Sequence, residues 1–255
     1  MNLNVDYVSD VHLAFYVKNN INAFVYKNIS KKQKSDILVI AGDIDERVDR
    51  LVTFIETCTK YYSKVIFICG NHEYYIPNIK PIYMDEMGKE CCYSSINKIN
   101  NIRNIFNGNN KVYFLDRNSS NNGLISIDNF LIAGDTFFGR PSGIYGWLEY
   151  YLNQNDSKFI LSNSSKKDTI IKLYNEGIKW YNNLPNNLDL IVTHFSPIGT
   201  KSYYCNRVNT YKSNYWIYGH DHKENDIVID NTRFLSNPWG YDSDDFKIKT
   251  LTLKK

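Results

Sequence analysis

The chain has 255 residues, 43% of them hydrophobic, and 30 Lys and Arg against 27 Asp and Glu for a net charge of +3. That content builds a full core, excludes global disorder, and at this length predicts one domain over residues 1–255. The small, evenly spread charge gives no basis for a nucleic acid partner, and the longest apolar runs, such as Ile37–Ala41 and Val65–Cys69, fall far short of the roughly 20 residues of a membrane span.

The elements alternate strand and helix, the pattern of an α/β fold. Asn2–Val8 reads as a strand with Leu3, Val5 and Tyr7 on one face. Ile37–Ala41 is a continuous apolar run, as in a strand covered on both faces. Val48–Tyr62 has helical spacing, and Val65–Cys69 is a third strand. Residues 84–106 read as a helix carrying Ile96, Ile99, Ile102 and Phe106 on one side, with Cys91 and Cys92 as ordinary helix rather than a redox pair. Val112–Leu115, Leu124–Ile127 and Phe130–Ala133 are strands, separated by the turn residues Asn121-Asn122-Gly123 and Asp128-Asn129. Residues 137–164 and 196–214 resist assignment and read as loops. Ser165 to Asp168 resembles a capping box opening a helix to Asn183. Leu188–Thr193, Tyr215–Tyr218, Asp226–Ile229, Thr232–Leu235 and Lys247–Leu253 are the later strands. Five cysteines without a CxxC pair, and no basic-then-apolar leader pattern, predict free thiols and a cytoplasmic protein.

The chemistry concentrates on histidine. All five, His12, His72, His194, His220 and His222, follow predicted strands inside short polar clusters. Sites in open α/β sheets gather beyond the carboxyl ends of strands. The clusters are Asp10-Val-His12, Gly42-Asp43, Gly70-Asn71-His72-Glu73, Thr193-His194 and Gly219-His220-Asp221-His222. A mixed imidazole, carboxylate and amide set without thiolate argues against structural zinc. It also offers too many ligands for one ion. Two ligand sets bridged by one carboxylate are the natural division, and ions about 3.5–4 Å apart can clamp a phosphoryl displacement.

In this order the five clusters resemble those of the calcineurin-like metallophosphoesterases. The resemblance runs from residue 10 to residue 222. It implies a four-layer α/β/β/α sandwich of two mixed β-sheets flanked by helices. It also implies two divalent ions (Mn, Fe, Zn or Ni, with Mn the choice for assay). Asp10, His12 and His222 would hold the first, Asn71, His194 and His220 the second, and Asp43 would bridge them. A shared hydroxide would attack phosphorus in line while His72 served the leaving oxygen as general acid. Glu73 would orient a ligand. The implied substrate is a small or nucleotide-like phosphodiester or phosphomonoester. A nuclease of the same family, or a non-catalytic metal-binding scaffold with this fold, remains as an alternative.

The chain departs from the protein-phosphatase branch. Cys69 stands where that branch has an Arg before Gly-Asn-His-Glu, and Gly42-Asp43-Ile44-Asp45-Glu46-Arg47 is not its Gly-Asp-x-Val-Asp run. The stretch Thr232–Tyr241 looks like the tail of small bacterial and phage members. Among further candidates, Asp135 reads as a strand-end residue, Asp45 as a helix cap and Asp221 as solvent-facing or supporting. Arg47 and Arg140 are candidate phosphate clamps, and Tyr203, Tyr204 and Tyr211 a candidate stacking group.

Overall fold

The computed structural model describes residues 1–17, 20–76, 83–84, 90–91, 94–162, 164–198, 208–241 and 247–255. Its strands are β1 (Asn2–Val8), β2 (Ile37–Ala41), β3 (Lys64–Ile68), β4 (Tyr83–Met84), β5 (Glu90–Cys91), β6 (Val112–Phe114), β7 (Leu124–Ile127), β8 (Phe130–Asp135), β9 (Leu188–Thr193), β10 (Ser213–Tyr218), β11 (Asn225–Ile229), β12 (Thr232–Ser236) and β13 (Lys249–Lys254). The helices are α1 (Leu13–Tyr16), α2 (Ile21–Asn28), α3 (Val48–Cys58), α4 (Ser95–Phe106), α5 (Gly143–Asn153), α6 (Asp156–Phe159) and α7 (Lys166–Asn183).

One sheet runs β13-β1-β2-β3-β6 and the other β11-β12-β10-β9-β8-β7. Both are mixed. In the first only β13 is antiparallel to its neighbour. In the second β11 and β7 are the antiparallel edges. Both edge strands close through two-residue Asp-Asn turns, Asp128-Asn129 and Asp230-Asn231, with all four residues at positive φ. Those dihedrals suit the twist of adjoining strands, and Asn and Asp tolerate them.

The two sheets pack face to face. Ile37, Val39 and Ala41 of β2 join Ile66, Ile68, Leu190, Val192 and Ile217 in one apolar layer. The alternate residues Leu38 and Ile40 face α2, α3 and α4 with Val65 and Phe67. Strand β2 is therefore apolar throughout because both of its faces are covered. On the far side Trp180 and Tyr181 of α7 cover Ile191, Trp216 and Phe234. These layers form the four-layer α/β/β/α sandwich expected from the sequence.

Two expectations need correction. The helix expected from residue 84 begins at Ser95, because the Ser94 side chain caps it by accepting from the Asn97 amide at 3.2 Å. Before it, Tyr83–Met84 pairs with Glu90–Cys91 in an antiparallel ladder, so Cys91 is not helical. Cys92 and Cys205 lie outside the described residues. Residues 137–164 contain α5 and α6. Helix α5 was hidden because its apolar residues circle the helix, with Tyr150 buried and Ile144, Tyr145, Leu148 and Leu152 exposed. Helices α1 and α2 have no counterpart among the elements expected from the sequence. Ser165 caps α7 as expected: its Oγ accepts from the Asp168 amide at 3.1 Å and donates to the Asp168 carboxylate at 2.6 Å.

Gly134 of β8 lies where the sheets touch. A methyl group there would sit 2.8 Å from Leu115 Cβ and 2.9 Å from Ile68 Cγ2. Overpacking of that kind costs about 1–3 kcal/mol. Gly134→Ala should lower the urea midpoint of unfolding by a matching amount with an unchanged m value.

Candidate metal centre

The predicted residues meet at one end of the sandwich. Asp10 and His12 follow β1, Asp43 follows β2, Asn71 and His72 follow β3, His194 follows β9, and His220 and His222 follow β10. Five of them take the left-handed backbone: Asp10 (φ 53°), His12 (φ 44°), Asp43 (φ 56°), His220 (φ 73°) and His222 (φ 50°). Each such residue costs roughly 1–2 kcal/mol, although Asp and His tolerate it better than most. The conformation turns the chain sharply at the strand end. Close approach completes the assembly: a Cβ on Gly70 would fall 2.1 Å from Asp43 Oδ1.

Asp43 lies at the centre. Its Oδ1 accepts from the His72 amide at 3.0 Å. Its Oδ2 lies 3.3 Å from His194 Nε2, 3.7 Å from His12 Nε2 and 3.9 Å from His72 Nε2. His12 Nε2 is 3.1 Å from His222 Nε2, which is 3.3 Å from Asp10 Oδ1. Among the described residues, three groups could hold a metal ion: Asp10, His12 and His222; Asp10, Asp43 and His194; and His12, Asp43 and His72. The first coincides with the set expected for one ion. His72, expected as an acid, also falls within a group. His220 stands apart from these groups, with its ring 5.2 Å from that of His194 and its amide donating to Asp10 Oδ1 at 2.9 Å.

The donor chemistry fits a cation. His194 Nδ1 bonds the Ala41 carbonyl at 2.9 Å, so Nδ1 is the donor, and in the neutral ring Nε2 is an inward lone pair. That lone pair faces Asn71 Oδ1 at 2.9 Å. The Asn71 amide nitrogen is committed elsewhere, to Tyr75 Oη at 2.9 Å and Asp156 Oδ1 at 2.8 Å. Acceptors from Asn71, His194 and Asp43 thus converge, and only a positive charge among them relieves their repulsion. Asp10 Oδ2 is buried without a hydrogen-bond partner among the described residues.

The proton affinities follow the same demand. Burial opposes charge on Asp43, but His194 and His72 hold its carboxyl well below the usual range. Burial also opposes charge on His194 and His72, yet Asp43 overrides it and carries them to about 10 and about 9. Glu46, 3.0 Å from His72 Nδ1, contributes to the second value. Burial lowers His12 to about 4 and also lowers His220, where His194 adds to the effect. Asp10 is lowered because His222 and His194 outweigh its burial.

Glu73, Asp156 and Glu46 support the site from behind. Glu73, expected to orient a ligand, accepts backbone N–H groups from Gly70 (2.6 Å), Asp43 (3.0 Å), Ile44 (2.6 Å) and Asp45 (3.1 Å). Burial and the charge of Asp43 raise its pKa to about 7 against the pull of those amides. Asp156 was missed. It arrives from α6, and Tyr75 also donates to it at 2.6 Å. Its sequence neighbourhood carries no signal of this role. Glu46 adjoins a quoted motif, but its pairing with His72 needed the fold.

The other candidates are placed as follows. Asp45 does not sit at the cap of α3, which is Arg47; it accepts from the Arg47 amide at 2.8 Å and pairs with Arg50 at 2.7 Å. Arg47 is exposed and paired with Asp49. Arg140 lies over the Tyr174 ring. Asp135 is the last residue of β8, paired with Arg117 at 2.5 Å. Tyr211 packs on Trp216 and Phe234 in the core, which removes it from a stacking group. Tyr203 and Tyr204 lie outside the described residues. Asp221 is exposed. Cys69 is buried, and that burial pushes its thiol well up.

Residues 3–224 match the calcineurin-like phosphoesterase family. An uncharacterised protein of Acanthamoeba polyphaga mimivirus, L509, is 24% identical over 266 residues, covering 92% of this chain and 90% of the relative. Among solved structures, the phosphopantetheinyl hydrolase of Mycobacterium tuberculosis shares the fold with a TM-score of 0.69 at 17% identity, over 94% of this chain and 90% of that one.

Glu73→Gln replaces an acceptor oxygen by an amide that faces backbone donors. It should destabilise the metal-free protein by about 3 kcal/mol, read by urea denaturation. Asp156→Ala frees the Asn71 amide to rotate. It should weaken the second equivalent of manganese by about 10-fold or more in calorimetric titration, with the first little changed.

Proposed function

The chain belongs to the calcineurin-like phosphoesterase family, and from that premise we propose that it hydrolyses a phosphodiester or phosphomonoester of a small or nucleotide-like compound with two divalent cations. The observation that carries this reading is the set of inward acceptors around Asp43 Oδ2, with the His72 imidazole beside it. Asp10, His12 and His222 would hold one cation, Asn71, His194 and His220 the other, and Asp43 would serve both. When bound, the cations would supply Lewis acidity to the phosphoryl group and to the attacking water.

The remaining work belongs to protein groups. His72 presents Nε2 toward the site while Glu46 receives its Nδ1–H at 3.0 Å, which fixes the ring. As water adds to phosphorus and the bond to the leaving oxygen breaks, the Nε2 proton passes to that oxygen. Ala41 fixes the His194 tautomer, and Glu73 fixes the backbone that carries Asp43.

The test is hydrolysis of bis-p-nitrophenyl phosphate and p-nitrophenyl phosphate after manganese loading. A phosphopantetheinyl ester belongs in the panel, because the mycobacterial fold relative is a phosphopantetheinyl hydrolase. Turnover should require the metal and fall by about 10²-fold or more in His72→Ala and in Asp43→Asn. Absence of turnover with every divalent metal, despite two bound ions, would replace this reading with a binding role.

A further inference from the structure

Two aromatic side chains stand at the mouth of the site without a place in the core. Phe15 is 65% exposed and Tyr241 40% exposed. Neither belongs to the apolar clusters among the described residues. Their rings meet at 4.7 Å and 60°. Tyr241 lies over the rings of His12, at 4.4 Å, and His222, at 4.6 Å. Its hydroxyl is 3.4 Å from His72 Nε2.

The pair is firmly mounted. Trp239 stacks on Tyr16 at 5.0 Å and on Phe24 at 4.7 Å, and Tyr16 donates to the Gly240 carbonyl at 2.7 Å. The Trp239 and Gly240 amides donate to the carbonyls of Ser9 and Asp10 at 2.9 and 3.0 Å. Helix α1 and the segment carrying Tyr241 are thereby tied together behind the two rings. Single exposed apolar residues are common on protein surfaces. Two aromatic rings in mutual contact beside a polar cluster, on a rigid mount and reaching the nitrogen of an acid, are a different case.

We propose that Phe15 and Tyr241 form a stacking subsite for a planar ring carried on the leaving-group side of the phosphoester. This rests on the proposed function, in which His72 Nε2 marks the position of the leaving oxygen. A substituent on that oxygen passes the Tyr241 hydroxyl and then the two rings. Their faces attract a nucleobase or aryl group more than a saturated ring of equal size.

Binding of two non-hydrolysable phosphonates tests this without requiring turnover. Benzylphosphonate is the isostere of a phenyl ester and cyclohexylmethylphosphonate that of a cyclohexyl ester. Calorimetry with the manganese-loaded protein should give about fivefold tighter binding of the benzyl compound. Phe15→Ala and Tyr241→Ala should each remove most of that ratio, with manganese stoichiometry at the wild-type value, and Tyr241→Phe should keep it. A wild-type ratio near one, a ratio that survives in the Phe15→Ala/Tyr241→Ala double variant, or no binding of either compound would overturn the subsite. Phosphonate binding with the expected ratio, alongside failure of all ester substrates to turn over, would instead fault the proposed hydrolysis and leave the subsite standing.

Discussion

The buried carboxylate of Glu73 holds the ends of β2 and β3 together. Those parallel strands finish side by side, and the chain then turns away at each. Four backbone N–H groups, from Gly70, Asp43, Ile44 and Asp45, are left pointing inward. Buried donors without partners cost several kcal/mol together, so an acceptor has to stand among them. Glu73 supplies both of its oxygens from a position three residues beyond Gly70. That arrangement fixes the backbone of Asp43, and the Asp43 carboxylate fixes the spacing of the histidines around it. Burial first, and then the repulsion between the two acidic groups, makes Glu73 bind its proton more tightly than an exposed carboxylate does.

The left-handed turns at Asp10, His12, Asp43, His220 and His222 belong to the same logic. Conformations of this kind persist only where surrounding contacts over-determine them. Here the contacts run between strands and between sheets. The Asp10 amide reaches the Gly42 carbonyl, the His12 amide reaches that of Asp43, and the Gly219 amide reaches that of His194. His194 of the second sheet bonds Ala41 of the first, and Asp10 of the first receives the His220 amide of the second. Sheet packing and site geometry are one set of constraints.

Much of this was legible in the sequence because its signals are local. Strands announce themselves by alternation in β1 and by apolar runs in β2 and β9, and polar clusters at their ends mark where a site gathers. The motif residues came together as that pattern implied. What escaped was of two kinds. Helices α1, α2 and α5 are short or apolar around their whole circumference, so they lack the one-sided periodicity that identifies a helix. Asp156, Tyr75 and Tyr241 act through partners that lie 85, 81 and 169 residues away in the chain. An ordinary Asp in a polar stretch carries no mark of an amide it will meet after folding.

The division of the site between the sheets has a consequence for how the protein comes into being. Asp10, His12, Asp43, Asn71 and His72 belong to the first sheet, which apart from β13 is complete at Phe114, while His194, His220 and His222 enter with the second. A chain emerging from the ribosome therefore carries both carboxylates of the centre, with His12 and His72, well before His194, His220 and His222. Until β9 and β10 dock, the Asp10 and Asp43 carboxylates face water and are hydrated rather than buried. Assembly of the centre is thus a late step of long loop closure, of the kind that slows folding. A nascent chain stalled before residue 194 would hold both carboxylates of the centre without His194, the histidine that offsets Asp43 most strongly.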